Sequence, residues 1–104
     1  MSRNDVVIEA RLLKRSALRH TPAGTPAINM VLGHRSRQTE AGGEREVRCD
    51  IEAVALGETA LTIQSLRVNR MLRAQGFLAQ RAVGDRKLLL HVTDAQAVTD
   101  GIQE

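Results

Sequence analysis

Arginine dominates the chemistry available to this 104-residue sequence, because 13 of its 15 basic residues are arginines. A guanidinium group keeps its charge and offers a planar fork of donors that suits phosphate groups and flat bases. The formal net charge is only +3, and the pI near 10.0 mildly favours an anionic partner such as a nucleic acid. Judged on charge alone, a solvated surface rich in arginine explains the composition equally well.

The other reactive residue types do not form a catalytic or metal-binding pattern. Cys49 is the only cysteine, which excludes a disulfide within the chain and fits a reducing compartment. His20 and His91 lie in separate segments, and together with Cys49 they lack the spacing of a zinc site. The sequence shows no Ser-His-Asp arrangement, glycine-rich phosphate loop or clustered carboxylate pair. We therefore expect a binding protein with no enzyme activity, no cofactor and no metal.

The sequence indicates a cytoplasmic protein of one small domain. Its start, MSRNDVV, lacks the apolar region of a signal peptide. The longest aliphatic run, Leu88 to Leu90, is far too short to span a bilayer. We expect a single domain over residues 1–104 with an ordered core at about 5–98, and the tail TDGIQE is too short for another element. A core of this size is small, so self-association would help to bury apolar surface.

Short segments rich in β-forming residues and separated by turn signals predict five strands and one helix. The order of these elements is that of an all-β OB-fold, a five-stranded Greek-key barrel, in which strands two and three and the loops 1–2 and 4–5 bind nucleic acids. The pattern also fits another small β-barrel. We expect strands at Asp5–Ala17, Ala27–Arg37, Arg45–Ala55, Val68–Arg81 and Lys87–Val98, with a short helix at Glu58–Ser65 between strands three and four.

Several positions interrupt the regular strand pattern. Alternation fails near Ala10–Leu13, which predicts a bulge or bend, and Gly76 predicts a second bulge or a tight barrel corner. The stretch Thr21–Pro26 has the residues of a turn, and its proline is tolerated as the first residue of the following strand. We expect a flexible loop at Gln38–Glu44 and a hairpin turn at Val83–Arg86.

Alternation of side chains along the strands predicts which residues face the core. On the second strand, the core face is expected to carry His34 as a buried, hydrogen-bonded histidine, and the opposite face ends in Arg35 and Arg37. Cys49 alternates with aliphatic residues on the third strand, so we expect it to be buried as a small apolar side chain. Phe77 is expected to lie in the core rather than to serve as a stacking platform.

The stretch TPAGTPAINMVLGHRSRQTEAGG, followed by Cys-Asp-Ile at position 49 and later by QGFLAQ, resembles primosomal replication protein N, the PriB family of bacteria. The features that carry the resemblance are an [ST]-P-x-G-x-P turn, a strand that ends in H-R-S, and the motif Q-x-E-A-G. The similarity runs from about Val6 to Val98. It implies an OB-fold homodimer that binds single-stranded DNA and works with the PriA helicase and DnaT when stalled replication forks are reloaded.

The resemblance also implies which residues contact DNA. The DNA-contacting positions of the family fall here on Arg19, Arg35, Arg48, Arg81 and Lys87. At the position of Arg48 a family member has tryptophan, and a guanidinium plane is able to replace part of such a stacking contact. To this set of expected DNA-binding residues we add two basic neighbours, Arg37 and Arg86.

Most of these basic residues have an alternative role in surface ion pairs. We favour the DNA role for Arg35 and Arg48 and give both roles equal weight for Arg37. The acidic residues that offer ion pairs are Glu44 or Glu46 for Arg35 and Arg37, Asp50 or Glu52 for Arg48, and Asp85 for Arg86 and Lys87.

Single-strand binders combine a basic groove with aromatic platforms, and this sequence has one phenylalanine, no tryptophan and no tyrosine. We therefore expect binding that depends on contacts between arginine and phosphate. Two alternatives remain open. One is a protein–protein adaptor OB domain with weak nucleic-acid binding, and the other is a general single-strand DNA- or RNA-binding OB protein. General single-strand DNA-binding proteins carry a long disordered tail that ends in acidic residues, whereas we expect this chain to end at Glu104 directly after the last strand.

Overall fold

The computed structural model describes residues 1–99. The predicted strands and helix are confirmed, and a two-residue strand, β2, is added to them. The expectations for the tail and for the domain beyond residue 99 lie outside the described residues. The elements are β1 (Val6–Arg15), β2 (Arg19–His20), β3 (Pro26–Glu40), β4 (Gly43–Leu56), α1 (Glu58–Ser65), β5 (Met71–Gln80) and β6 (Leu88–Ala97).

Five of the strands close into a barrel in the order β1-β5-β6-β4-β3, with β3 pairing back onto β1. Strand β1 takes part at both ends of this order, since Val6–Arg11 pairs with β5 and Arg11–Arg15 pairs with β3. Strands β4 and β6 pair in parallel between Ala53 and Ala55. The predicted all-β OB-type barrel is therefore confirmed.

Both predicted strand irregularities are present. The register of β1 against β3 shifts between Leu12 and Lys14, and the register of β5 against β6 shifts at Gly76. A Cβ atom at Gly76 would lie 1.8 Å from the carbonyl oxygen of His91, which leaves no space for a side chain. The backbones of β5 and β6 approach each other closely here because the residue is glycine.

The core consists of aliphatic side chains from the barrel strands and from helix α1. The helix places Ala60 and Ile63 against the barrel, and both are fully buried. Two threonines weaken the helical propensity of this eight-residue segment, so packing is the main source of its stability. Within residues 1–99 no helix is long and apolar enough to cross a membrane. The largest fully buried side chains are Leu12, Ile28, Leu32, Ile63, Leu72 and Leu90.

The β3–β4 hairpin extends well beyond the barrel. The predicted flexible loop at Gln38–Glu44 is wrong, because the strands stay paired up to Glu40 and Gly43 and leave only two residues in the turn. Ala41 and Gly42 have φ angles of 53° and 80°, as in the two-residue turns that match the twist of a hairpin. We call residues 34–49 the arm, since here β3 and β4 pair only with each other among the described strands.

Two side chains on the inner face of the arm are less buried than predicted. Cys49 is exposed, so its predicted burial is wrong. His34 is half-buried, and its ring is hydrogen-bonded as predicted: Nδ1 donates to the carbonyl oxygen of Glu9 at 2.7 Å, and Nε2 lies 2.8 Å from Oγ of Ser36. These side chains are exposed because the arm extends beyond the barrel, so no other described element packs as a second layer on its inner face.

Phe77 lies on the barrel surface, and its predicted place in the core is wrong. Leu72, Ala74 and Gly76 alternate inward along β5, which turns Phe77 outward with 39% of its surface exposed. Its ring stacks on His91 of β6 with the centroids 4.9 Å apart and the planes at 6°. Strand alternation therefore outweighs the general tendency of phenylalanine to be buried.

Candidate nucleic-acid interface

The outer face of the arm carries three of the predicted DNA-binding residues. Arg35 and Arg48 lie directly opposite each other on the paired strands, and Arg37 lies opposite Glu46. Nη2 of Arg35 is 2.8 Å from Oε2 of Glu46, and Nη2 of Arg48 is 3.8 Å from the same oxygen. The hydrogen bond from Arg35 and the charge of Arg48 lower the pKa of Glu46. One carboxylate is thus shared by two guanidinium groups, which leaves the cluster positively charged.

The ion pairs of the arm differ in part from those expected. Arg37 contacts Glu44 at 3.7 Å, so the shorter ion pair is at Arg35, for which the ion-pair alternative had the lower weight. Arg48 contacts Glu46, whereas the ion-pair alternative that we did not favour named Asp50 or Glu52. The side chains of Arg35 and Arg48 are each 66% exposed. Exposed pairs contribute about 0–1 kcal/mol, so a phosphate group is able to replace the carboxylate.

A groove on the barrel continues from the outer face of the arm. We call it the barrel groove, and its cavity volume is about 440 Å³. It lies between the end of β1, the outer faces of β3 and β4, and the start of β6, which is where an OB-fold binds its ligands. The residues that line it include Lys14, Arg15, Asn29, Val31, Glu52, Arg81 and Leu89.

Arg19 lies at one edge of the barrel groove. The short strand β2 pairs with the start of β3 and holds Arg19 opposite Ala27. Nη2 of Arg19 donates to Oδ1 of Asn29 at 2.8 Å, and Asn29 lines the groove. The guanidinium group of Arg19 is therefore directed toward the groove by an uncharged partner, and its charge is not neutralised by this contact.

Arg81 lies at the opposite edge, at the start of the β5–β6 loop. Its Nε donates to Oδ2 of Asp85 at 2.9 Å, and its Nη1 is 3.9 Å from Oε1 of Glu52. Asp85 also accepts the backbone N–H of Lys87 at 2.9 Å. This backbone contact is the main reason that the pKa of Asp85 is lowered, with a further contribution from Arg81. Asp85 therefore fixes the loop conformation.

The predicted hairpin turn at Val83–Arg86 is confirmed, since the N–H of Arg81 donates to the carbonyl of Lys87 at 3.0 Å. The alternative in which Asp85 neutralises Arg86 and Lys87 holds only in part. The contacts of Asp85 are with Arg81 and with the backbone amide of Lys87, and the charge of Lys87 also helps to lower the pKa of Asp85. Neither the Arg86 nor the Lys87 side chain has an ion pair or hydrogen bond within residues 1–99. Both side chains belong to the loop that begins with Arg81, which lines the barrel groove.

Sequence reasoning missed two basic residues of the barrel groove, Lys14 and Arg15. Ala10 and Leu12 face inward on β1, so simple alternation would also turn Lys14 inward. The bulge at Leu13 reverses this direction and leaves Lys14 exposed at the groove. Arg15 donates from Nε to the carbonyl of Leu66 at 3.3 Å. The sequence did contain a signal for this part of the groove. Lys14 and Arg15 are adjacent basic residues at the end of the first strand, next to the loop 1–2 that binds nucleic acids in an OB-fold.

The structure places the predicted residues in two groups on one side of the barrel. Contacts with phosphate and flat bases are the chemistry that such a surface offers. The part of the chain that the structure describes holds no cluster of three or more His, Cys, Asp or Glu side chains suited to a metal ion. The arm carries Arg35, Arg37 and Arg48, and the barrel groove and its adjoining loop carry Arg19, Arg81, Arg86 and Lys87.

Solved structures show the same fold. PriB from Ralstonia solanacearum superimposes with a TM-score of 0.84 at 29% identity, covering 93% of this chain and 100% of that chain. The single-stranded DNA binding protein from Thermus aquaticus superimposes with a TM-score of 0.75 at 21% identity, covering 94% of this chain and 51% of that one. The second likeness supports the OB-type fold alone.

Sequence comparison identifies the family. A family model described as "Another single-strand binding protein family" matches residues 4–94. Replication restart protein PriB of Bordetella pertussis is 40% identical over 95 residues, which cover 91% of this chain and 89% of the relative. The protein of the same name from Nitrosomonas europaea is 33% identical over 98 residues, covering 94% and 91%. The chain belongs to the PriB family of replication restart proteins, as the sequence resemblance predicted.

Proposed function

We propose that this chain is a single-stranded DNA-binding accessory protein of replication restart. The observation that carries the proposal is the pair Arg35 and Arg48, which lie opposite each other on an exposed strand face and share a single carboxylate. The arm leads into a barrel groove with further basic residues, as expected for a strand that runs along the surface. The names of the relatives and the description of the matching family agree with this role.

The proposed mechanism is exchange of ion pairs. Phosphate groups replace Glu46 on Arg35 and Arg48, and they meet Arg81, Lys14 and the basic residues of the β5–β6 loop as the strand crosses the barrel. Each phosphate that is neutralised releases bound counterions, which makes such binding strongly dependent on salt. Arg48 is also able to stack its guanidinium plane on a base. This role needs no catalytic group and no cofactor.

The proposal includes a cytoplasmic location and two protein partners, the PriA helicase and DnaT. These follow from the family resemblance and from the role in restarting replication. One OB domain spanning the chain would be the unit that binds both DNA and partner. Titration of the protein with PriA, in the presence and absence of an oligonucleotide, measures whether the partner and the DNA bind together or compete.

The proposal also includes a homodimer that forms through β1. Val6–Ala10 pairs with β5 along one edge, whereas pairing with β3 starts only at Arg11. The other edge of this half-strand is contacted by His34 at Glu9, and Val7 beside it is 60% exposed. An open strand edge is a template for pairing with a second chain. Light scattering should give the mass of a dimer at micromolar concentration, and the mass of a monomer would contradict this part.

The main test is a fluorescence-anisotropy titration of labelled oligothymidine, followed by competition with matched unlabelled RNA and duplex DNA. Single-stranded DNA should bind, and duplex DNA should compete poorly because its bases are stacked away from the protein. The double variant Arg35→Ala/Arg48→Ala should bind about tenfold or more weakly, since hydrogen bonds to charged groups contribute about 1.5–3 kcal/mol each and the loss of a single one already corresponds to about tenfold. Arg73→Ala is the control with the same kind of charge change, because Arg73 lies on β5 beside Glu9 of β1 and does not line the barrel groove. Absence of binding by the unmodified protein at low salt would contradict the proposal.

An adaptor domain is the second candidate function. Its support is that Glu44, Glu46, Glu52 and Asp85 each contact an arginine of the same surface, so the charges are mixed rather than purely basic. Mixed charges suit a protein partner because they allow complementary pairs across an interface. An adaptor would bind PriA equally well in the presence and in the absence of the oligonucleotide. It would bind oligothymidine weakly at any salt concentration.

A further inference from the structure

A second groove begins where the barrel groove ends. On the outer face of β4, Glu52 of the barrel groove is followed two residues later by Val54, and on β6 Leu89 is followed in the same way by His91. Alternate residues of a strand lie about 7 Å apart on one face, so the two grooves are neighbours along the same strands. We call the second one the aromatic groove. Its cavity volume is about 240 Å³, and its lining includes Val54, Leu56, Thr59, Phe77, His91 and Thr93.

The aromatic groove has flat rings on one side and aliphatic groups beneath and beside them. The rings of Phe77 and His91 are parallel within 6°, with their centroids 4.9 Å apart. Val54 forms a floor with only 6% of its surface exposed, whereas Leu56 at the rim is 47% exposed. A parallel stack of two rings is able to accept a third planar group, because offset stacking of aromatic systems is favourable.

His91 adds polar atoms that have no partner in the described part of the chain. Neither of its ring nitrogens has a hydrogen bond or ion pair within residues 1–99, although the side chain is only partly exposed. A partly buried polar group is stabilised when a ligand supplies the missing hydrogen bond. The edge of a base carries both donors and acceptors that suit an imidazole ring. The groove thus combines a stacking surface with an unused hydrogen-bonding group.

We propose that the aromatic groove is a nucleobase subsite, in which a base of the single strand stacks against the Phe77–His91 pair where the strand leaves the barrel groove. This inference rests on the proposed function, because it takes the strand to follow the outer faces of β4 and β6. Phe77 is the only residue among Phe, Trp and Tyr in the sequence. The subsite therefore supplies the aromatic stacking that the arginine surface lacks, and it tolerates any base because every base has a flat face.

The absence of tryptophan and tyrosine from the sequence allows a direct test. Phe77→Trp places the only strong fluorophore of the chain in the aromatic groove. Oligothymidine should quench its emission in a saturable way, at the concentrations at which anisotropy reports binding. Val68→Trp is the matched control, because Val68 is 49% exposed, lies between α1 and β5 and lines neither groove. Its emission should not change. Binding seen by anisotropy without quenching of Phe77→Trp would overturn the subsite.

A second test separates stacking from an effect on folding. Phe77→Leu should weaken binding of oligothymidine by about fivefold or more, as expected for the loss of one stacked base. On an oligonucleotide whose bases are replaced by abasic sites, the two proteins should bind equally, since the phosphates are unchanged. An equal loss on both oligonucleotides, or no loss on either, would overturn the subsite. If the unmodified protein bound neither oligonucleotide, the proposed function would fail as well, so the two failures are distinguishable.

Discussion

The arm and the barrel use the same pair of strands for opposite purposes. In the barrel, β3 and β4 contribute fully buried side chains such as Ile28, Leu32 and Ala55. In the arm, residues 34–49 contain no buried side chain, and the outer face consists largely of arginine and glutamate. The buried side chains that stabilise the fold therefore lie in the barrel, whereas many of the charged side chains proposed to contact DNA lie in the arm. Substitutions in the two regions should therefore have separable effects on unfolding and on binding.

The largest expected effect is on the stability of the barrel. Gly76→Ala would place a Cβ atom 1.8 Å from the carbonyl oxygen of His91, so the β5 and β6 backbones would have to separate. We expect the free energy of unfolding to fall by about 3 kcal/mol or more, measured by urea denaturation. Gly43→Ala in the arm is the control, because a Cβ atom added at Gly43 would meet nothing within 4 Å. Equal stability of the two variants would show that the barrel does not require this close approach.

The next effect is on binding through the arm. Arg48→Trp should raise the affinity for oligothymidine severalfold and reduce its salt dependence, because stacking contributes about 1–3 kcal/mol per base and releases no counterions. Arg48 is exposed, so the free energy of unfolding should stay within about 0.5 kcal/mol of the original value. Anisotropy titrations at two salt concentrations measure both quantities. Unchanged or reduced affinity would mean that Arg48 does not lie on the path of the DNA.

A smaller effect is expected at the carboxylate that the arm arginines share. Glu46→Gln removes the negative charge that lies 2.8 Å from Arg35 and 3.8 Å from Arg48. Both guanidinium groups then become available to phosphate, and affinity at low salt should rise about two- to fivefold, in line with the energy of exposed ion pairs. Glu58→Gln at the start of α1 makes the same chemical change outside the arm. A loss of affinity in Glu46→Gln alone would show that Glu46 positions the arginines rather than competing with DNA.

The smallest expected effect concerns pH. The pKa of Glu46 lies below its ordinary value of 4.5, first because of the hydrogen bond from Arg35 and then because of the charge of Arg48. A carboxyl group whose pKa is lower in the folded state than in the unfolded state stabilises the folded state at pH values above the unfolded pKa. This contribution is lost as the pH falls through the folded pKa. NMR titration should show the lowered pKa, and Arg35→Ala should move it back toward 4.5. If the pKa of Glu46 stayed the same in Arg35→Ala, a group other than Arg35 would be the cause of its lowering.

Much of the barrel was predictable because local signals and tertiary requirements agree there. The failed alternation at Ala10–Leu13 and the glycine at position 76 correctly marked two irregular positions. Pro26 correctly marked the start of a strand, and the change of period correctly marked helix α1. In each case the deviation from the regular pattern lies in the chain itself, so no knowledge of the neighbouring strands was needed.

The errors arise where neighbouring elements decide the outcome. Burial of Cys49 would require the barrel to lie beneath it, and the length of the arm is not visible in strand alternation. The two-residue turn that closes the arm has Ala41 in a left-handed conformation, which alanine rarely adopts, so the residue type did not indicate this turn. Lys14 faces outward because of the bulge at Leu13, and the failed alternation marked the bulge but not the direction of the side chains after it. Phe77 was assigned by residue type, whereas the inward direction of its neighbours decided its place.

The most direct test of the central claim is the salt dependence of single-strand binding. Each phosphate neutralised on a single strand adds about 0.7 to the slope of log K against log salt. Arg35→Ala/Arg48→Ala should therefore reduce the slope by about 1.4 per protomer and lower the affinity throughout the series, while Arg73→Ala leaves the slope unchanged. If the double variant kept both the slope and the affinity of the unmodified protein, the arm would not be the surface that holds DNA.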